Sequence, residues 1–68
     1  MKIEASFRDQ IIEINIDEKD TSIDFNCAYL IEISHNNGVL EPTGRAIDGY
    51  GNPLLFDVNE FKYTIKNA

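Results

Sequence analysis

The sequence contains few residues that could cross-link or bind metal: among 68 residues there is one Cys, one His and no Trp. A single cysteine excludes an intramolecular disulfide, and the chain has neither a CxxC pair nor a zinc-type ligand spacing. A domain this small hides only about 60% of the surface of its unfolded chain, and such domains commonly depend on a disulfide, a metal or a partner. We therefore expect stability to come from close packing, a partner or self-association, and we expect no bound metal or cofactor.

Basic residues are also scarce. Six Lys and Arg stand against twelve Asp and Glu, which gives a net charge of −6. Nucleic-acid phosphates are bound by basic surfaces, so this balance argues against direct binding of DNA or RNA. It favours solubility and attraction to partners with a basic surface. The alternative is that the acidic balance has no specific role, as in many cytosolic proteins.

Long apolar stretches are absent. Nothing approaches the roughly 18 apolar residues of a membrane span, and residues 1–7 lack the apolar core of a signal peptide. The lone Cys27 fits a reducing compartment. We expect a cytoplasmic protein that does not bind membranes and forms a single domain over residues 1–68.

The longest alternating pattern covers residues 25–34. Its odd positions are all apolar, its even positions are mixed, and aromatic and β-branched residues dominate the odd ones. This pattern predicts one strand whose odd side chains face the core. Those side chains are Phe25, Cys27, Tyr29, Ile31 and Ile33. An alternative is a helix over about residues 22–35, capped at Thr21 or Ser22 and ending at Asn37-Gly38.

Alternation also predicts a hairpin near the N-terminus. Residues 2–8 and 11–17 each place apolar side chains on one face, and Asp9-Gln10 would be a two-residue loop between them. The expected register is set by the shared apolar face and by opposite charges across the strands. It pairs Phe7 with Ile12, Ala5 with Ile14, Ile3 with Ile16 and Lys2 with Asp17.

A second hairpin is predicted near the C-terminus. Residues 54–58 and 61–65 alternate in the same way around an Asn59-Glu60 loop, which would pair Val58 with Phe61 and bring Asp57 opposite Lys62.

Between the hairpins, residues 35–38 and 48–53 are rich in Asn, Gly and Asp and predict turns. Pro42 marks a strand edge, a bulge or a strand end, because its nitrogen cannot donate a hydrogen bond to a neighbouring strand, and residues 44–47 would resume the strand.

The predicted fold is therefore all-β, a small antiparallel barrel or sandwich of five to six short strands. The alternative is an α+β fold with two hairpins packed on one helix.

No group of residues predicts catalysis. Cys27 and His35 lie eight positions apart on one strand, too far for a thiol–imidazole pair, and we expect a buried Cys and a turn His. The acidic residues 17–24 lack the glycine and glutamate of an EF-hand loop, so a solvated acidic loop is expected. The chain also lacks a phosphate-binding glycine loop. We expect the protein not to be an enzyme.

The function predicted is a non-enzymatic module that binds another protein, one with a basic surface. Small acidic inhibitors and immunity proteins that occupy the nucleic-acid-binding face of a target are the analogy, from charge and size alone. Tyr50, between two glycines, is either an exposed binding anchor or a side chain that folds back over the sheet. An alternative is an assembly subunit that forms homo-oligomers through strand edges. The expected contact residues are Glu13, Asp17, Glu18, Asp20, Asp24 and Tyr50.

Overall fold

The chain folds mainly into antiparallel strands, as seen in a computed structural model that describes residues 1–66. Three strands form a first sheet in the order β2-β1-β6, and three form a second sheet in the order β3-β4-β5. A single turn of 3-10 helix, Val58–Glu60, precedes the last strand. Within these residues the strands are β1 (Lys2–Phe7), β2 (Gln10–Asn15), β3 (Ser22–Phe25), β4 (Tyr29–Asn36), β5 (Val39–Asp48) and β6 (Phe61–Ile65). The fold is all-β, as predicted, and resembles a sandwich more than a closed barrel.

The core lies between the two sheets, where alternate side chains of each strand point inward. Phe7 is at its centre, with ring centroids 5.8 Å from Phe25, 5.1 Å from Tyr29 and 5.3 Å from Phe56. Aromatic rings at these separations stabilise a core beyond the area they bury. The buried side chains are Ile3, Ala5, Phe7, Ile16, Ile23, Phe25, Ile31, Ile33, Leu40 and Phe61.

The N-terminal hairpin forms with the predicted inward face but a different register. Phe7 pairs with Gln10 and Ala5 with Ile12, so the loop is Arg8-Asp9 and the predicted Phe7–Ile12 pairing is wrong. Side chains alternate with a period of two, so a shift of two residues keeps the same face inward. Lys2 consequently lies opposite Asn15 and forms its ion pair with Glu13, at 3.1 Å, and not with Asp17.

The stretch 25–34 is not one strand, and the helix alternative is wrong as well. Asn26 and Cys27 take positive φ angles of 57° and 62°, which break the strand into β3 and β4 around a tight turn. The Asp24 carboxylate accepts a hydrogen bond of 2.8 Å from the Cys27 backbone N–H and so holds the turn. Cys27 is therefore exposed and not buried as expected, whereas Ile31 is fully buried as predicted.

The predicted C-terminal hairpin does not form. β6 pairs with β1, with Phe61 opposite Phe7, and residues 54–58 contain no regular strand. Asp57 caps the 3-10 turn by accepting a 2.9 Å hydrogen bond from the Asn59 N–H, so it does not face Lys62. Alternation identified β6 as a strand but could not identify its partner.

The two remaining turns form, but the first is shorter than the predicted residues 35–38: His35 pairs with Leu40 inside β4, so the expectation of a turn His is wrong. Asn37 and Gly38, both at positive φ, connect β4 to β5. Pro42 lies in β5, an edge strand, next to an irregular register between Ile31 and Ile33 of β4. The strand then continues to Asp48, where the predicted turn begins.

Candidate functional site

The loops collect at the two ends of the strands, which separates the predicted contact residues. At one end, the His35 Nε2 atom lies 2.7 Å from the Asp20 carbonyl oxygen, so the loop between β2 and β3 lies beside β4. At the other end, Asn26 Nδ2 donates to Gln10 Oε1 at 2.8 Å, which joins the β1–β2 and β3–β4 turns. The turn that carries Tyr50 lies at this second end, because Asp48 pairs with Tyr29.

Residues 17–20, which we call the acidic loop, form a turn closed by its own carboxylates. The Asp17 N–H donates to Asp20 Oδ2 at 2.8 Å, and the Lys19 N–H donates to Asp17 Oδ1 at 2.9 Å. The Asp20 N–H also donates to the Asp17 carbonyl at 2.9 Å. The structure thus brings together three predicted contact residues, Asp17, Glu18 and Asp20, and gives two of them a role in shaping the loop.

Glu13 and Asp24 lie apart from the acidic loop and from each other. Glu13 faces solvent on β2 of the first sheet and is paired with Lys2, in an exposed ion pair of a kind that stabilises a fold little. Asp24 faces solvent on β3 of the second sheet and holds the Asn26-Cys27 turn. The six predicted residues therefore do not form one continuous surface.

Tyr50 is 93% exposed, so the alternative that it folds back over the sheet is wrong. Its turn is held by Asp48, whose Oδ1 accepts hydrogen bonds of 2.9 Å from the Tyr50 and Asn52 N–H groups. These hydrogen bonds, chiefly the one from Asn52, lower the pKa of the Asp48 carboxyl. A Cβ on Gly49 would lie only 2.6 Å from the Cys27 carbonyl oxygen, so the turn fits closely against its neighbour. Tyr50 is thus presented to solvent on a well-defined turn.

A groove that the sequence did not reveal crosses the outer face of the second sheet. Its volume is about 670 Å³, and its apolar lining comes from β4, β5 and the segment after the Tyr50 turn. Leu55, on that segment, is 96% exposed. The one feature of the sequence that points to this groove is Leu30, which is apolar although it occupies an outward position in the alternating stretch 25–34. The apolar lining residues are Leu30, Ala46, Ile47, Pro53, Leu54 and Leu55.

Arg8 fixes the segment that forms one wall of this groove. Its Nε donates to Glu60 Oε1 and its Nη2 donates to the Leu55 carbonyl, both at 3.0 Å. The guanidinium also lies over the Tyr29 ring, 5.6 Å from its centroid. The hydrogen bond to Glu60 raises the pKa of Arg8. The pKa of Glu60 is lowered by the Asp57 N–H and then by Arg8.

The residues weighed for chemistry lie far apart. Cys27 lies in the turn before β4, and His35 lies near the far end of that strand. Within residues 1–66, no three His, Cys, Asp or Glu side chains are placed to hold a metal ion. None of the helical residues described forms a segment long and apolar enough to cross a membrane.

Comparison with known proteins gives no family: no protein-family model, no curated protein and no solved structure matches this chain.

Proposed function

We propose that this protein is a non-enzymatic module that binds a basic surface of another protein through its acidic loop. The observation that carries the proposal is the placement of the acidic side chains. Of the twelve, only Glu13 and Glu60 form ion pairs within residues 1–66. The acidic loop places three carboxylates within four consecutive residues beside a single Lys19.

The loop is also shaped before any partner binds. Its internal hydrogen bonds, together with that between His35 and the Asp20 carbonyl, hold the backbone in one conformation. A preorganised loop loses less conformational entropy on association, which favours binding. We propose further that the partner is a protein whose basic face binds nucleic acid, so that this chain acts as an inhibitor or immunity-type protein, and that it works in the cytoplasm.

The test is to remove the loop charges without removing its hydrogen bonds. In the triple variant Asp17→Asn, Glu18→Gln and Asp20→Asn, the amide oxygens can still accept the backbone hydrogen bonds. A partner is first isolated by cross-linked pull-down and then measured by surface plasmon resonance. We expect the association rate to fall by about tenfold and to lose much of its salt dependence, because charge steering acts mainly on encounter.

The matched control removes three charges elsewhere. The triple variant Glu4→Gln, Asp9→Asn and Glu41→Gln has the same net charge but an intact acidic loop. If both triple variants slow association equally, the net charge and not the loop is responsible. An association rate that neither variant nor added salt changes would contradict the proposal.

Self-association through strand edges is a second proposal with less support. β5, the longest strand, is an edge strand, but neighbouring groups cover parts of its edge. The Leu54 N–H donates to the Ala46 carbonyl at 2.9 Å, and the Tyr63 hydroxyl accepts from the Leu40 N–H at 2.9 Å. Covered edges pair less readily with another chain. Sedimentation velocity over a range of concentrations distinguishes the two proposals.

A further inference from the structure

The groove on the second sheet contains an apolar row that runs across the strands. Leu30 of β4 lies directly opposite Ile47 of β5, and Ile47 in turn forms a bridge with Pro53. Leu30 and Ile47 are each 37% exposed on the outer face of the second sheet, beside residues 53–55. Directly opposed side chains in a sheet have Cβ atoms about 5 Å apart, so this row is one continuous apolar strip.

Two carboxylates flank the strip at Leu30. Asp24 lies opposite Leu30 on β3, and Glu32 is the next outward residue along β4. Outward neighbours on one strand are separated by about 7 Å, so both carboxylates lie within reach of a side chain that covers Leu30. The Thr43 hydroxyl donates to Glu32 Oε1 at 2.7 Å and fixes that carboxylate at the rim. Arg45 is the only basic residue among those lining the groove.

This charge pattern favours one kind of occupant. A second copy of the chain would bring another net charge of −6 and its own Asp24 and Glu32 to the same surface, which repulsion opposes. A segment with a large apolar side chain beside Lys or Arg satisfies both features, because its apolar group covers Leu30 and Ile47 while its cations approach the carboxylates. Leu55, held in position through its backbone carbonyl by Arg8, would extend the contact.

We propose that the groove binds a segment of a partner protein in which a large apolar side chain is flanked by Lys or Arg. The inference depends on the proposed function, since it adds a second contact surface to a module that binds a basic protein. It adds specificity to that function, because the acidic loop attracts any basic surface whereas the groove selects an apolar side chain.

The experiment is a selection of random peptides displayed on phage against the full chain, followed by synthesis of the enriched peptides. Binding is measured by titration, and the site is mapped from backbone amide shifts in isotope-labelled protein. We expect enriched sequences with a large apolar residue next to Lys or Arg, and shifts centred on Leu30, Ile47 and Leu55. The variant Ile47→Ser should weaken binding about tenfold, and Asp24→Asn should weaken it more at low salt than at high salt.

The matched control is Ile11→Ser, the same substitution at an outward position of the first sheet, where Ile11 is 66% exposed. It should leave peptide affinity unchanged. Basic peptides without an apolar residue that shift the acidic loop would overturn the groove inference but leave the proposed function intact. Apolar peptides without Lys or Arg, no enrichment at all, or shifts at the groove that grow with protein concentration alone would each overturn the inference.

Discussion

At the scale of single residues, Arg8 connects more parts of the fold than any other polar side chain described above. It lies in the β1–β2 loop, at a φ of 55°, and its guanidinium contacts Glu60, the Leu55 carbonyl and two aromatic rings. These contacts join the first hairpin to the connection between β5 and β6. They are made with the hairpin turning at Arg8-Asp9.

Arg8 substitutions should show that geometry matters as well as charge. Arg8→Ala removes all the contacts, whereas Arg8→Lys keeps the charge but loses the fork that reaches two acceptors. We expect the urea midpoint to decrease in the order wild type, Arg8→Lys, Arg8→Ala. Lys62→Ala, which removes an exposed cation outside any ion pair in residues 1–66, is the control and should leave the midpoint near the wild-type value. Equal midpoints for Arg8→Ala and Lys62→Ala would contradict this role.

Cys27 offers a second test at this scale, because the structure places it on an exposed turn. Its thiol should react with a disulfide reagent such as DTNB in the native protein nearly as fast as in urea-unfolded protein. An exposed thiol needs no opening of the fold before it is attacked. Absorbance measurements under both conditions check this. A native rate that is slow and rises only with denaturant would mean that Cys27 is buried.

At the scale of strands, the pattern of the sequence predicted which side chains face inward but not how strands pair. Period-two alternation assigned the inward faces of β1, β2 and β6 correctly. It could not distinguish registers that differ by two residues, nor show that β6 pairs with β1 and not with the segment before it. The register and the partner of each strand depend on contacts between residues far apart in the sequence, such as Phe7 with Phe61, and the alternation within one strand carries no information about them.

The break between β3 and β4 was missed for a different reason. Alternation continues from Phe25 through Cys27 to Tyr29, so the pattern alone indicates one strand. The turn depends on left-handed backbone at Asn26 and Cys27, which Asn adopts readily and Cys rarely. The hydrogen bond from the Cys27 N–H to the Asp24 carboxylate stabilises this conformation. An Asp three residues before the end of a turn is only a weak sequence signal, so the pattern alone does not predict the turn.

Ile31 tests the packing of β4. It is fully buried in the core, so Ile31→Ala should lower the free energy of unfolding by about 2–5 kcal/mol, through lost burial and the cavity left behind. Ile11→Ala, on the exposed face of β2, should change it by only about 0.5 kcal/mol. Chemical denaturation of both variants measures the difference. A small loss for Ile31→Ala would mean that β4 does not pack as described.

At the scale of the whole molecule, acid should destabilise the fold through particular carboxylates. The pKa values of Asp48 and Glu60 are both lowered in the folded state, mainly by backbone hydrogen bonds from Asn52 and Asp57. A carboxyl with a lowered folded-state pKa adds stability at pH values above its unfolded pKa. That stability is lost as the pH falls through the folded-state pKa. We therefore expect stability to fall below about pH 4.

The variants Asp48→Asn and Glu60→Gln isolate this effect. Each should make the free energy of unfolding less dependent on pH in the acid range, because the titrating group is gone while an amide oxygen can still accept a hydrogen bond. Asp9→Asn, at an exposed residue of the β1–β2 loop, is the matched control. Urea melts from neutral to acid pH measure the slopes. Slopes identical to wild type in both variants would show that other carboxylates govern acid sensitivity.

The candidate site could be predicted only in part. The exposed acidic loop follows from polar, turn-forming sequence, whereas the sequence left open whether Tyr50 is exposed or folds back over the sheet. The groove does not, because it depends on which outward residues of β4 and β5 become neighbours and on the path of the segment around Leu55. That path is set by Arg8, a residue 47 positions away along the chain.

The pairing of the first strand with the last also determines how the molecule responds to force. Lys2 and Lys66 are adjacent, since the Lys66 N–H donates to the Lys2 carbonyl at 2.7 Å and Ile3 pairs with Ile65. Tension between these two points would peel β6 from β1 starting at that end and would load one hydrogen bond at a time. Strands pulled in shear share the load among many hydrogen bonds and resist far more. Pulled this way, the domain would therefore unzip at low force, although its core is well packed.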